Sequence, residues 1–199
     1  MQRMDIALVK PRLRGVFHQW AFFAAVAAGV VLVALAAMFG ASAVYHRVDW
    51  RTPARRAWAR RLDHSTIFLF IAGTYTPFAL LAFEGALAQV VLVAVWAGAV
   101  LGLAVNLCWI DAPKWIGAIA YLAVGWVGVI AAPQLFSSLG IAAAVLVVVG
   151  GLLYTLGAVV YAVHWPDPFP TTFGFHELFH VLVVAAAVVQ FVAVSLVVL

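Results

Sequence analysis

Of 199 residues, 67% are apolar, and charge is confined to eleven Lys and Arg and seven Asp and Glu. A water-soluble domain devotes about 25% of its residues to charge, so the composition excludes a soluble globule. The net charge of +4 does not point to nucleic acid, because ten of the eleven basic residues lie before Leu62 in two short clusters that flank apolar runs, which is a topology signal.

A hydrocarbon core about 30 Å thick takes roughly 20 helical residues. Uncharged runs at 15–46, 64–83, 85–110, 115–166 and 178–199 supply them, and the backbone within them must be helical to satisfy itself in lipid. The spacing predicts helices at 16–45, 63–83, 87–109, 115–133, 138–163 and 176–199. The expected fold is an all-α transmembrane helix bundle, a single integral membrane domain over 1–199 with about six spans.

The first predicted helix, about 45 Å long, follows a basic segment, 1–15, with Arg3, Lys10, Arg12 and Arg14. It reads as one tilted span with the N-terminus outside; the alternative is a break near Gly40 with one half re-entrant. The Arg-rich loop at 47–62, with six arginines against Asp49, is the strongest cytoplasmic signal in the chain. Asp63 opens the second helix, where it can also serve as an N-cap. Pro77 cannot bond the carbonyl of Gly73, which predicts a kink there, and Gly73, Thr74 and Thr76 around it either line a cavity or, the preferred reading, pack closely against a neighbour. Counting spans from the arginine loop puts Glu84 outside, Asp111 and Lys114 inside, a turn at Pro133 to Gly140 outside, and the His164 to Phe175 loop inside. Trp109, Trp115 and Trp165 then fall at the inner interface, where indole rings settle. Cys108, the only cysteine, leaves no intrachain disulfide to form.

Polar residues inside spans are costly and mark function. Ser42, His46, Asp63, His64, Asn106, His176, Glu177, His180, Gln190 and Ser195 are the candidates. His176 and His180, four apart, share one helix face and can chelate one ion; with Glu177 between them they also match the HExxH pattern of zinc hydrolases. Ser42 and His46 repeat the four-residue spacing at the end of the first span. His46 ends a helix descending to the inner face, Asp63 starts the next one there, and four further spans return the chain to that face at His176. Three histidines and a carboxylate at one depth make the ligand set of an open zinc site. Read blandly, the same residues are interfacial side chains with no ligand.

These residues carry a resemblance. Ser42 to His46, the run Arg61-Leu62-Asp63-His64-Ser65-Thr66-Ile67 continuing through Ile71 to Phe78, Tyr121 to Trp126, Gly151 to Tyr161 and His176 to His180 are similar, in order, to the motifs of the haemolysin III family. That family is the bacterial branch of the progestin and adipoQ receptor group, grouped with alkaline ceramidases as proposed membrane hydrolases. The resemblance implies that His46, His176 and His180 bind zinc, that Asp63 holds the attacking water, and that Ser42 lines the site. It implies a plasma-membrane protein whose metal site lies near the cytoplasmic face, with membrane lipids as partners and a lipid amide or ester as substrate. Glu177 lies outside the family pattern. Seven spans are usual in that family, and between Arg14 and His46 this chain is about one helix short. Two other readings stand beside hydrolysis: a receptor-like regulatory membrane protein in which zinc is structural, and an intramembrane metalloprotease built on HExxH.

Overall fold

A computed structural model describes residues 16–109 and 111–198; the side chain of His18 and the basic segment 1–15 lie outside the described residues. The described chain is helical throughout, apart from turns, one 3-10 segment and an isolated bridge between Phe169 and Phe173. Helix α1 spans Val16–Arg47, α2 Pro53–Leu81, α3 Gly85–Cys108, α4 Lys114–Gly125, α5 Ala132–Ser138, α6 Gly140–Val163 and α7 Phe175–Val198. Among the described residues six helical segments are long and apolar enough to cross a membrane, with α4, a 3-10 turn at Val127–Ala131 and α5 acting together as the fourth. The protein is an all-α, multi-pass membrane bundle.

Helix α1 runs unbroken through Gly40, so the re-entrant alternative falls. Helix α2 starts ten residues earlier than expected. Thr52 is its N-cap, with Oγ1 accepting the Arg55 backbone N–H at 3.3 Å, and Pro53 stands in the first turn. The cap and the proline, whose fixed φ suits a first helical turn, convert most of the 47–62 loop into helix. The N-cap reading of Asp63 is thereby corrected, since Asp63 lies about three turns inside α2.

The fourth crossing also departs from expectation. The break falls at Gly125 to Ala131 in mid-span, and the turn into α6 is at Leu139 and Gly140, where glycine takes φ +73°. Broken backbone at membrane depth must find partners. Tyr75 of α2 supplies both: its hydroxyl donates to the Gly125 carbonyl and accepts the Gly128 N–H at 2.9 Å.

Helix α2 packs against α1, α3, α4 and α7 and carries the core phenylalanines Phe68, Phe70 and Phe78. Small residues let neighbours close in: a Cβ on Gly73 would stand 3.0 Å from Ala34 of α1, and one on Gly102 of α3 would enter the Phe68 ring. Gln190 of α7 reaches α6, Nε2 donating to the Val147 carbonyl at 3.1 Å. Ser195, one of the polar candidates, donates its hydroxyl to the Phe191 carbonyl of its own helix.

Candidate metal centre

One end of the bundle collects the groups that the parity of crossings assigns to it. Arg60 Nη1 meets Asp111 Oδ1 at 3.2 Å and Arg61 Nε donates to the Leu107 carbonyl at 3.1 Å, which ties the start of α2 to the end of α3. The opposite end is closed by the Gln134 amide oxygen, which accepts the Glu84 backbone N–H at 3.0 Å. Trp109, Trp115 and Trp165 are all exposed at the arginine end.

Helix α1 delivers His46 in its last turn. Helix α7 begins just before His176, and its start is fixed by two carboxylates. Asp167 Oδ1 accepts the Phe175 N–H at 2.9 Å and Glu177 Oε2 accepts the Gly174 N–H at 2.9 Å, the return half of a capping box. Gly174 lets Asp167 come close: a Cβ there would lie 2.5 Å from Asp167 Oδ1, so a larger residue would push that carboxylate aside. So anchored, the first turns of α7 present His176 and His180 on one face.

The three imidazoles converge. His176 Nε2 lies 3.3 Å from His46 Nε2 and 3.1 Å from His180 Nε2, and one ligand nitrogen from each ring falls within 4.8 Å of the others. Two nitrogens on a tetrahedral zinc with bonds of about 2.1 Å stand roughly 3.4 Å apart, so the donor set has the type and spacing that a zinc ion takes. Tyr45 meets the His46 ring edge-on with centroids 4.6 Å apart, and Tyr161 packs on His176 at 5.7 Å.

Asp63, only 8% exposed, places Oδ2 3.8 Å from His46 Nε2 and 3.5 Å from His64 Nδ1. His64 is steadied in turn: the Tyr121 hydroxyl donates to its carbonyl at 3.1 Å, and the Tyr161 hydroxyl lies 3.5 Å from its Nε2. Ser42, Asp63, His64, His176 and His180 share the wall of a cavity of about 80 Å³. A second, apolar cavity of about 190 Å³ runs deeper into the bundle, and Ile67, Tyr121, Ala158, Phe179 and Val183 belong to both walls. The two cavities thus adjoin, both walled mainly by apolar surface, and the smaller one carries the ionisable groups Asp63, His64, His176 and His180.

The structure therefore brings His46, His176 and His180 into mutual reach, sets Asp63 beside them and puts Ser42 on the adjoining cavity wall. Glu177 is exposed, engaged with Gly174, and absent from that wall. Sequence reasoning missed Tyr45, Tyr121, Tyr161 and Phe179. Span parity was the available signal for Tyr161, which ends α6 at the depth of His176.

The family described as Haemolysin-III related matches residues 6–191. Over 134 residues, 67% of this chain, the sequence is 34% identical to the hemolysin-3 homolog of Bacillus subtilis (strain 168). Over the same length it is 31% identical to hemolysin-3 of Bacillus cereus. The matched stretch spans 60% of the first relative and 58% of the second. With the family match running through nearly every described span, the chain belongs to the haemolysin III family.

Proposed function

We propose that the chain is a zinc-dependent hydrolase of a lipid amide or ester bond, seated in the plasma membrane with its reacting centre near the cytoplasmic face. The observation that carries this reading is the convergence of three Nε2 atoms from α1 and α7 beside a buried carboxylate. His46, His176 and His180 would hold the ion. When bound, zinc supplies Lewis acidity, polarising a carbonyl and bringing the ionisation of water into the neutral pH range.

The remaining work belongs to the protein. Asp63, held between His46 and His64, accepts a proton from the attacking water as the new carbon–oxygen bond forms and returns it to the leaving amine or alcohol. Ser42, on the same cavity wall, donates a hydrogen bond to the carbonyl oxygen as negative charge develops there. The apolar cavity receives the acyl chain and keeps bulk water from the reacting bond. Inductively coupled plasma analysis of detergent-purified protein, run beside hydrolysis assays on a panel of acyl amides and esters, tests the reading. Roughly one zinc per chain with cleavage of at least one panel member is expected, and absence of zinc would sink it.

A second reading rests on the same rings. His46 and the α7 pair join the first described helix to the last, which is the geometry of a clamp, so zinc could serve a receptor-like regulatory protein by holding the bundle closed. Stoichiometric zinc without cleavage of any panel member selects this reading. Intramembrane proteolysis gains no support, because Glu177 caps its own helix and the third nearby ligand is a histidine.

A further inference from the structure

The arginines at the start of α2 fall on different faces. Arg56, Arg60, Asp63, His64 and Ile67 recur at intervals of three and four, so they share one stripe of the helix. Ile67 lines both cavities and Asp63 and His64 line the smaller one. The stripe that forms the wall of the site therefore continues outward as Arg60 and Arg56, about 4.5 Å and 10 Å beyond Asp63 along the axis. Arg61 points elsewhere, engaged by the Leu107 carbonyl and stacked over Trp58 at 5.0 Å.

Arg56 stands one side chain away from the histidine cluster. The Arg56 guanidinium lies 6.0 Å from the centroid of Tyr45, whose ring abuts His46. Arg60 precedes Asp63 and His64 by three and four positions on the same helix, so it sits one turn outward of both. Arg60 shares one Nη1 with Asp111, leaving further donors of its five, while Asp167 and Glu177 across the mouth are occupied by backbone amides of α7. Two cationic side chains thus lie on the outward continuation of the α2 stripe whose inner residues wall the smaller cavity, and that cavity adjoins the larger apolar one.

We propose that the mouth of the histidine cluster takes an acyl lipid whose headgroup carries an anionic phosphate, held by Arg56 and Arg60. A guanidinium matches phosphate in charge and in planar donor geometry. With the phosphate on Arg60 and Arg56 and the chain in the deep cavity, the acyl carbonyl falls at the depth of Asp63. That last placement rests on the proposed hydrolase reading; the headgroup site does not.

The test measures binding to full-length, detergent-purified protein. The probes are dihexanoyl phosphatidylglycerol, dihexanoylglycerol and inorganic phosphate. Phosphatidylglycerol should bind at least about tenfold more tightly than the neutral diacylglycerol. Arg56→Gln and Arg60→Gln should each weaken it about tenfold, the effect of losing one charge-assisted hydrogen bond, without changing dihexanoylglycerol binding. Arg60→Lys, which keeps the charge and the Asp111 pair, should lose less than Arg60→Gln, and Arg51→Gln should match the parent. Equal binding of the two lipids, or a loss in Arg51→Gln as large as in Arg56→Gln, overturns the proposal. So does inorganic phosphate competing as well as the lipid, because the site would then serve a free anion. Failure of hydrolysis with this binding pattern intact removes only the proposed activity. Hydrolysis of neutral acyl lipids with no phosphate preference removes only the headgroup site.

Discussion

His46 and His176 are separated by 130 positions in sequence, yet their Nε2 atoms lie 3.3 Å apart. Neither ring has a local reason to be there. Each ends or begins a helix whose length is set by the bilayer, and the fold makes the two ends meet. His180, one turn on, completes the set at 3.1 Å from His176.

The first prediction concerns the rings themselves. Replacing His46, His176 or His180 by Ala removes one of three nitrogen donors and should lower zinc affinity by more than the 10–100-fold that loss of an outer-shell partner causes. Competition with a colourimetric chelator measures it. Full zinc retention in all three variants would eliminate the centre.

Asp63 separates binding from chemistry. Asp63→Asn keeps the volume and removes the proton acceptor, so zinc should remain near one per chain while hydrolysis falls about 10²–10⁴-fold. A variant that loses metal and activity together would make Asp63 a ligand instead.

Glu177 offers a sharp contrast with the HExxH reading. Its Oε2 accepts the Gly174 N–H, a job that an amide oxygen can also do, so Glu177→Gln should leave zinc content and turnover near the parent. Glu177→Ala should cost about 1 kcal/mol of stability, seen as a lower midpoint in a detergent unfolding titration. Abolished turnover in Glu177→Gln would make it a general base.

Tyr75→Phe keeps the ring and removes the hydroxyl that serves Gly125 and Gly128. Two backbone groups then lose their partner at membrane depth, for a cost of about 1–3 kcal/mol. An unchanged unfolding midpoint would mean that the break is satisfied without Tyr75.

Packing supplies the last prediction. An added Cβ at Gly102 would enter the Phe68 ring, whereas nothing lies within 4 Å of one at Gly29. Gly102→Ala should destabilise by about 1–3 kcal/mol, and Gly29→Ala should be neutral or slightly stabilising. Partial recovery of Gly102→Ala by Phe68→Leu would tie the loss to this contact.

Much of this architecture was legible before any coordinates. Bilayer thickness and charge placement dictate six crossings, and parity alone puts His46, Asp63 and His176 at one depth. The start of α2 was misjudged because charge was taken as the end of helix, although Thr52 and Pro53 are an ordinary capping pair. The mid-span break at Gly125 was invisible because its satisfaction comes from Tyr75, fifty positions earlier, and hydropathy carries no record of such a partner. The aromatic surround of the histidines was hidden for the same reason: ring contacts such as Tyr161 on His176 depend on helix rotation, which periodicity in a uniformly apolar segment does not fix.

The distance in sequence between His46 and the α7 pair also orders events during synthesis. The nascent chain exposes His46 early, but His176 and His180 leave the ribosome only with the start of α7, after the four intervening crossings have been made. A truncation at Val163 keeps His46 and Asp63 and lacks both later rings. Closing the three-ring cluster therefore waits until the start of α7 has been made.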